Sequence, residues 1–439
     1  MIGSKKKVIG ILAFLIILMG IVIFYILPIM SFGVTVVEMP EQLSGDTVLT
    51  AEQVEEDRSL AIEHIESIHP YFVLEKDLSA YETAKQNYID TTASAMTVRE
   101  FQVATAEYFC FFGDGHTRLY WAEEEQINLD TVYQDGKSYW MDDAADADIH
   151  EDIYIKEIGG VEIDAVYDVI RKVFPMENEM MEQMFLEAYI ARRNILELAG
   201  VEIADDQVSV TFSNGKEEVY GFEAIKSAGS SKTLENTWYM DGDIFVVDFN
   251  TCVVDDTLEE ITSKLKAKIK QGCSRVIVDA RGNGGGNSNA CKALLEAMDM
   301  TAPGYDTVIR FSKEAKAQNG YFLSNGVKKY KGSDKSVKNT GVELVVLSDR
   351  ETFSSATMLC VWVRDGELGT IIGEPSSNMP NSYGDIIYFS LPNSHTYAWA
   401  SHKQFIRPDE SNDECMLIPD ILTDEDEAYE EAVKYLQGK

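Results

Sequence analysis

Two segments carry residue types that could do chemistry together. The first, Val276-Ile-Val-Asp279-Ala-Arg281-Gly282-Asn283-Gly284-Gly285-Gly286, reads as a buried strand running into a loop whose backbone amides are left bare. Glycine there lets an amide approach a substrate carbonyl with no side chain in the way. The second, Asp349-Arg-Glu-Thr352-Phe-Ser354-Ser355-Ala356-Thr357, reads as a loop presenting hydroxyls at the start of a helix. Acyl transfer needs a nucleophile, a base within reach and preorganised donors for the developing oxyanion. Ser354, near the positive end of a helix dipole, supplies the first, and the Gly284–Gly285–Gly286 bend supplies the donors. A serine before a helix also serves as an ordinary N-cap, so the hydroxyl has two competing uses.

The elements around these segments follow from periodicity. From Ala51 to about Phe112 the apolar positions Leu60, Ile62, Ile65, Ile68, Phe101, Ala104, Tyr108 and Phe111 fall at helical spacing. That small helical domain ends at Gly113-Asp114-Gly115-His116-Thr117, and Arg118-Leu-Tyr-Trp121 then resembles a strand. From about Ile127 to Ile225 the pattern is of short strands around helices, with a turn at Gly159-Gly160, a helix from about Asp164 to Val173 and another from Glu177 to about Leu198. A PDZ-like module would have this texture, apart from the second helix. Beyond Thr237 strands and helices alternate, which predicts an α/β layered core. The expected organisation is residues 1–50 as a cytoplasmic stub, membrane helix and stalk, 51–121 as a helical domain, 122–230 as a β-rich segment, and 231–439 as the unit holding the glycine and serine loops.

Composition narrows the partners. The 74 acidic residues against 38 basic ones give a net charge of −36, which should repel nucleic acid. Lys5-Lys6-Lys7 followed by an apolar run from Val8 to about Met30 is long enough to cross a bilayer. With no Ala-x-Ala-like exit, it is expected to be an uncleaved signal anchor, with the lysines inside and everything from Ser31 onward outside. The expected location is therefore a single-pass cell-membrane protein with its larger part extracytoplasmic. Of the six cysteines, Cys110, Cys273, Cys291 and Cys360 lie in apolar runs and read as core residues. No spacing suggests a metal site, and no cofactor is expected.

Four motifs in order, Asp279-Ala-Arg281-Gly-Asn283-Gly-Gly-Gly, Thr352-Phe-Ser354-Ser-Ala-Thr, Ile372-Gly373-Glu374-Pro375 and Leu417-Ile-Pro419-Asp420-Ile, resemble a serine peptidase family. It includes C-terminal processing peptidases, tricorn protease and interphotoreceptor retinoid-binding protein. The resemblance runs from about Trp238 to Leu436 and implies a crotonase-like (ClpP/crotonase) spiral core, with Ser354 as nucleophile. It also implies oxyanion donors from Gly284, Gly285 and the amide of Ser355. Processing peptidases use a lysine after Gly-Glu-Pro. This chain has Met379 there, so a Ser–Lys dyad would need Lys403 from another strand.

The tricorn-like branch uses a histidine from upstream, and His116 matches that role. A serine precedes that histidine in the branch, whereas Gly115 stands here, so any relay must differ. Glu414 occupies roughly the place of the branch's distant glutamate and is the first candidate to orient His116, with Asp413 and Asp114 as alternatives. His402 is the reserve base. His64, His69, His150 and His395 read as surface residues. The expected function is a membrane-anchored serine peptidase acting on polypeptide substrates. The alternative is a catalytically inactive homologue serving as a ligand- or peptide-binding module, and a third class is an interaction protein holding a partner at the membrane. Oligomeric state is open.

Overall fold

The computed structural model describes residues 14, 15, 18–20, 22, 33–122, 125–141, 149–225 and 235–438. In the C-terminal half, the apolar runs Ile244–Asp248, Arg275–Asp279 and Glu343–Ser348 are almost wholly buried, as strands inside a covered parallel sheet must be. They form the centre of a six-stranded sheet in the order Thr237–Asp241, Ile244–Asp248, Arg275–Asp279, Glu343–Ser348, Thr370–Gly373, Ile421–Leu422. The first pair is antiparallel and the others are parallel.

The two-residue period of a strand sends Val247, Val278 and Val346 to one face and Val246, Ile277 and Val345 to the other. Helices Asp256–Lys270, Ser288–Ala297 and Ser355–Asp365 cover the first face, and Ala428–Gln437 covers the second. The register pairs Asp279 with Leu347, so the glycine loop and the Asp349–Thr352 loop leave adjacent strands side by side. Crevices at such strand ends are where α/β sheets commonly bind ligands.

An antiparallel sheet of Val327–Tyr330, Asp306–Arg310, Tyr397–Ile406 and Ser382–Ser390 stands beside the first. Its long hairpin exceeds the expected pair at Ile386–Leu391 and Thr396–Ala400, and the extension brings Lys403 opposite Gly384. Arg118–Leu119 pairs with Trp399 and Ala398, which draws the end of the helical domain onto this sheet.

The N-terminal helices are Ala51–Ile68, Tyr71–Leu74, Ser79–Thr91 and Val98–Cys110. Capping boxes at Thr50/Gln53 and Thr97/Glu100 fix where two of them start. The middle segment is a seven-stranded sheet with antiparallel pairing throughout, packed with helix Ile163–Val173. The second expected helix is two, Glu179–Tyr189 and Arg193–Leu198, because the chain turns extended at Arg192. One apolar cluster runs through the N-terminal helices, the middle segment and the antiparallel sheet, including Phe101, Phe109, Val210, Phe311 and Ala400.

Among the described residues, no helix is long and apolar enough to cross a membrane. The expected anchor, Val8 to about Met30, lies almost entirely outside them. All six cysteines are free, with Cys252, Cys291 and Cys360 buried.

Candidate functional site

Ser354 has φ 54° and ψ −120°, a region an L-residue rarely adopts, which costs about 1–3 kcal/mol. It sits at the N-cap of helix Ser355–Asp365, yet its hydroxyl makes no capping hydrogen bond. The ordinary N-cap use of this serine is therefore excluded, and the side chain lines a cleft of about 430 Å³ with Gly286, Ser355, Tyr383, Asp385 and Lys403.

Contacts between the two loops hold the strained turn. The Ser355 hydroxyl donates to the Gly286 carbonyl at 2.7 Å, the Phe353 amide to the Asn283 carbonyl at 3.0 Å, and the Gly282 amide to the Asp349 carboxylate at 2.7 Å. Gly285, at φ 96°, packs so closely that a Cβ there would lie 2.6 Å from the Ser354 Cβ. Arg281 lies along Asp279 and donates to the Glu425 carbonyl, so it pins the glycine loop from outside.

The oxyanion assignment needs correcting in one respect. The Gly285 amide donates to the Asn283 side chain at 2.9 Å, so it is already engaged, and Gly284 is not on the cleft wall. Gly286 and Ser355 are on that wall, and neither amide has an acceptor among the described residues. Gly285 instead provides the close approach that brings the loop against Ser354.

His116 comes from the turn after the N-terminal helices, and its ring stacks on Phe353, the neighbour of Ser354, with centroids 4.6 Å apart. The imidazole is 13% exposed, and neither ring nitrogen has a hydrogen-bond partner among the described residues. Asp114 lies 3.7 Å from its Nδ1. Burial lowers the pKa of His116, but Asp114 and Glu177 outweigh it, and the net shift is upward from 6.5.

Asp114 is fully buried. Its carboxylate accepts from the His116 amide at 2.9 Å, the Thr117 hydroxyl at 2.6 Å and His69 at 3.3 Å. His69 Nδ1 accepts from the Tyr71 amide, so its Nε2 carries the proton toward Asp114. The surface reading of His69 is thus wrong: it is 0% exposed, wedged between Phe112 and Tyr383. Burial alone would raise the Asp114 pKa, but pairing with His116 and His69 drives it far below the usual carboxylate range.

Glu177 was not singled out from the sequence. One of its oxygens accepts from the Gly115 amide at 2.9 Å, the other from the Asn378 side chain at 2.7 Å and the Met379 amide at 2.8 Å. A Cβ on Gly115 would lie 2.7 Å from the Met181 methyl and 2.8 Å from that first oxygen, so a larger residue would have to displace these side-chain ends. The donor atoms of Asp114, His116 and Glu177 lie within 4.8 Å of one another. A cation would have to displace the amides and hydroxyl that occupy both carboxylates.

The other candidates lie apart from this group. Glu414 is on an exposed turn, bonded to Asn412 and 3.6 Å from Arg407, so the carboxylates beside His116 are Asp114 and Glu177 rather than Glu414. Asp413 is likewise exposed. His402 is buried with both nitrogens engaged, by the Asp385 carbonyl and the Tyr321 hydroxyl, and burial with the adjacent Lys403 charge lowers its pKa to about 4. Lys403 does reach the cleft from the neighbouring strand, but pairs with Asp385. Burial favours its neutral form, yet Asp385 more than compensates and keeps it protonated. His64 is half-buried on Phe389 and pairs with Glu314, and His395 bonds the Glu41 carbonyl.

An uncapped serine in a strained turn, a glycine loop locked to it and a buried imidazole alongside are features of a serine-type peptidase. Residues 242–407 match the model of peptidase family S41. No curated protein matches the sequence. The fold is similar to crystal structures of mature CPAF, at 12% identity and TM-score 0.57 over 88% of this chain and 96% of that one. A point mutant of CPAF superposes with TM-score 0.60 at 12% identity, covering 88% and 96% of the two chains. The photosystem II D1 C-terminal processing protease aligns at 15% identity and TM-score 0.44 over 86% and 94%.

Proposed function

We propose that this chain is a membrane-anchored serine peptidase that cleaves polypeptides outside the cytoplasm, with Ser354 as nucleophile and His116 as base. The observation that carries the reading is the Ser354 hydroxyl, free of any capping bond, held in a strained turn at the head of a cleft. Backbone strain of this kind is characteristic of sharp turns that expose a nucleophile.

Ser354 Oγ attacks the substrate carbonyl while its proton passes to His116. The new C–O bond makes a tetrahedral intermediate whose oxyanion accepts from the amides of Ser355 and Gly286. When the C–N bond breaks, the imidazolium returns the proton to the leaving amine, and water later hydrolyses the acyl-enzyme by the same route. Asp114, charged and buried beside the ring, stabilises the imidazolium that forms.

The test is labelling of full-length protein with a fluorophosphonate, together with hydrolysis of unstructured polypeptide. A stoichiometric adduct, absent in Ser354→Ala, supports the peptidase. No adduct at any pH would make the chain a ligand-binding homologue. The anchor and outward orientation are tested by carbonate extraction and by protease accessibility of residues beyond the apolar run.

A further inference from the structure

We infer that Glu177, acting with Asn378, is a positioning residue that sets Ser354 and His116 against each other. The inference rests on the proposed Ser354–His116 chemistry. Three chain segments meet at this carboxylate. Its first oxygen takes the amide of Gly115, the residue before His116. Its second takes the Asn378 side-chain amide and the Met379 backbone amide, both from the loop after Gly373-Glu374-Pro375. The same Asn378 side chain then turns its carbonyl oxygen to the backbone N–H of Ser354 at 2.9 Å.

The result is an unbroken hydrogen-bonded path from the histidine turn to the strained serine backbone. Each bond in it has one assignment. Three donors converge on two carboxylate oxygens, which fixes the Asn378 amide so that its nitrogen faces Glu177 and its oxygen faces Ser354. A glutamine at 177 would turn an NH2 group toward at least one of those donors. Glu177 itself enters the site from the linker before helix Glu179–Tyr189, whose first turn is capped by Asn178. Asn178 also donates to the Ser376 carbonyl, a second tie between that linker and the same loop.

Glu177 also bears on the imidazole electrostatically. The charged groups around His116 are Asp114 in its own turn, Glu177 from the linker, Arg118 on the next strand, and Asp385 on strand Ser382–Ser390, which is paired with Lys403. Removing the Glu177 charge should therefore move the protonation of His116 to lower pH. Burial, the largest effect on Glu177, makes its own carboxyl harder to ionise than usual, and His116 with the Met379 and Asn378 donors opposes that.

The experiment compares wild type, Glu177→Gln and Asn378→Ala in full-length protein, by fluorophosphonate labelling rate across pH and by peptide hydrolysis normalised to labelled sites. For Glu177→Gln, kcat per labelled site should fall roughly 100-fold, the scale of a small misplacement of reacting groups. KM should hold, because Glu177 does not line the cleft, and the acidic limb should move to lower pH. For Asn378→Ala, kcat should fall with the limb unmoved, since the Glu177 charge remains. A purely structural role predicts fewer active molecules with unchanged rate and limb per labelled site, and that result would overturn the inference. If Glu177→Gln does not fold, Asn378→Ala decides: a wild-type rate per site refutes it. Failure of wild type to label at all would instead refute the peptidase reading.

Discussion

The ring of His116 lies over the ring of Phe353, tilted by 32°, so the imidazole from the helical domain rests on the residue immediately before Ser354. Strand pairing makes this contact possible. Arg118 sits opposite Trp399, and Thr117 donates its hydroxyl to Asp114 while accepting from the Ser401 amide at 3.0 Å. The histidine turn is thereby fastened to the antiparallel sheet, whose adjoining strand residues Lys403 and Phe405 form part of the cleft.

Ser354→Ala should lower peptide hydrolysis by at least about 10³-fold, the usual loss when a serine nucleophile is removed. The melting temperature should not fall, because the hydroxyl bonds no protein group that fixes the turn. Retained hydrolysis would remove Ser354 from the mechanism.

Three substitutions separate the bases. His116→Ala should be inactive while folding normally. His402→Ala should lose stability through the Tyr321 and Asp385 bonds yet keep its activity per folded molecule. Glu414→Ala should stay within about twofold of wild type, as exposed polar sites usually do, and a large loss there would restore Glu414 to the relay.

The pH profile of kcat/KM should rise through a limb above 6.5, since His116 must lose its proton to act and its pKa is raised. Asp114→Asn should bring that limb down. Stability follows with opposite signs. The Asp114 contribution is present above its ordinary 3.8 and lost as pH falls below that value. The His116 contribution is present below 6.5 and lost as pH rises through its elevated folded value. Melting curves of wild type and Asp114→Asn should therefore converge in acid.

Gly285→Ala would put a Cβ 2.6 Å from that of Ser354 and 2.7 Å from the Phe353 carbonyl, at a φ of 96°. We expect loss of activity and of at least about 1–2 kcal/mol, the left-handed penalty alone. Fluorophosphonate labelling and thermal denaturation check both.

Arg407 and Asp365 form an ion pair buried at 0% and 2% side-chain exposure, with a 2.6 Å bond. Asp365→Ala leaves the buried guanidinium only the half-exposed Glu414, 3.6 Å away, as counter-charge and should cost up to about 3–5 kcal/mol. Urea denaturation measures that loss. Labelling per folded molecule should be unchanged, which separates scaffold from site.

By itself the sequence determined whatever local pattern encodes. The apolar runs Ile244–Asp248 and Arg275–Asp279 and the glycine loop with Ser354 state their strand and turn roles through neighbours a few residues away. The alternation of those elements already specified a layered α/β core. Only tertiary structure decided which polar groups meet. His69 and Glu177 stand in or at the edge of stretches that read as ordinary helix, Asn378 stands in a loop, and each gains its meaning from a partner far along the chain. Glu414 looked apt by order in the sequence, but hydrogen bonds and charges act over a few ångströms, and the fold carried it to an exposed turn beside Arg407.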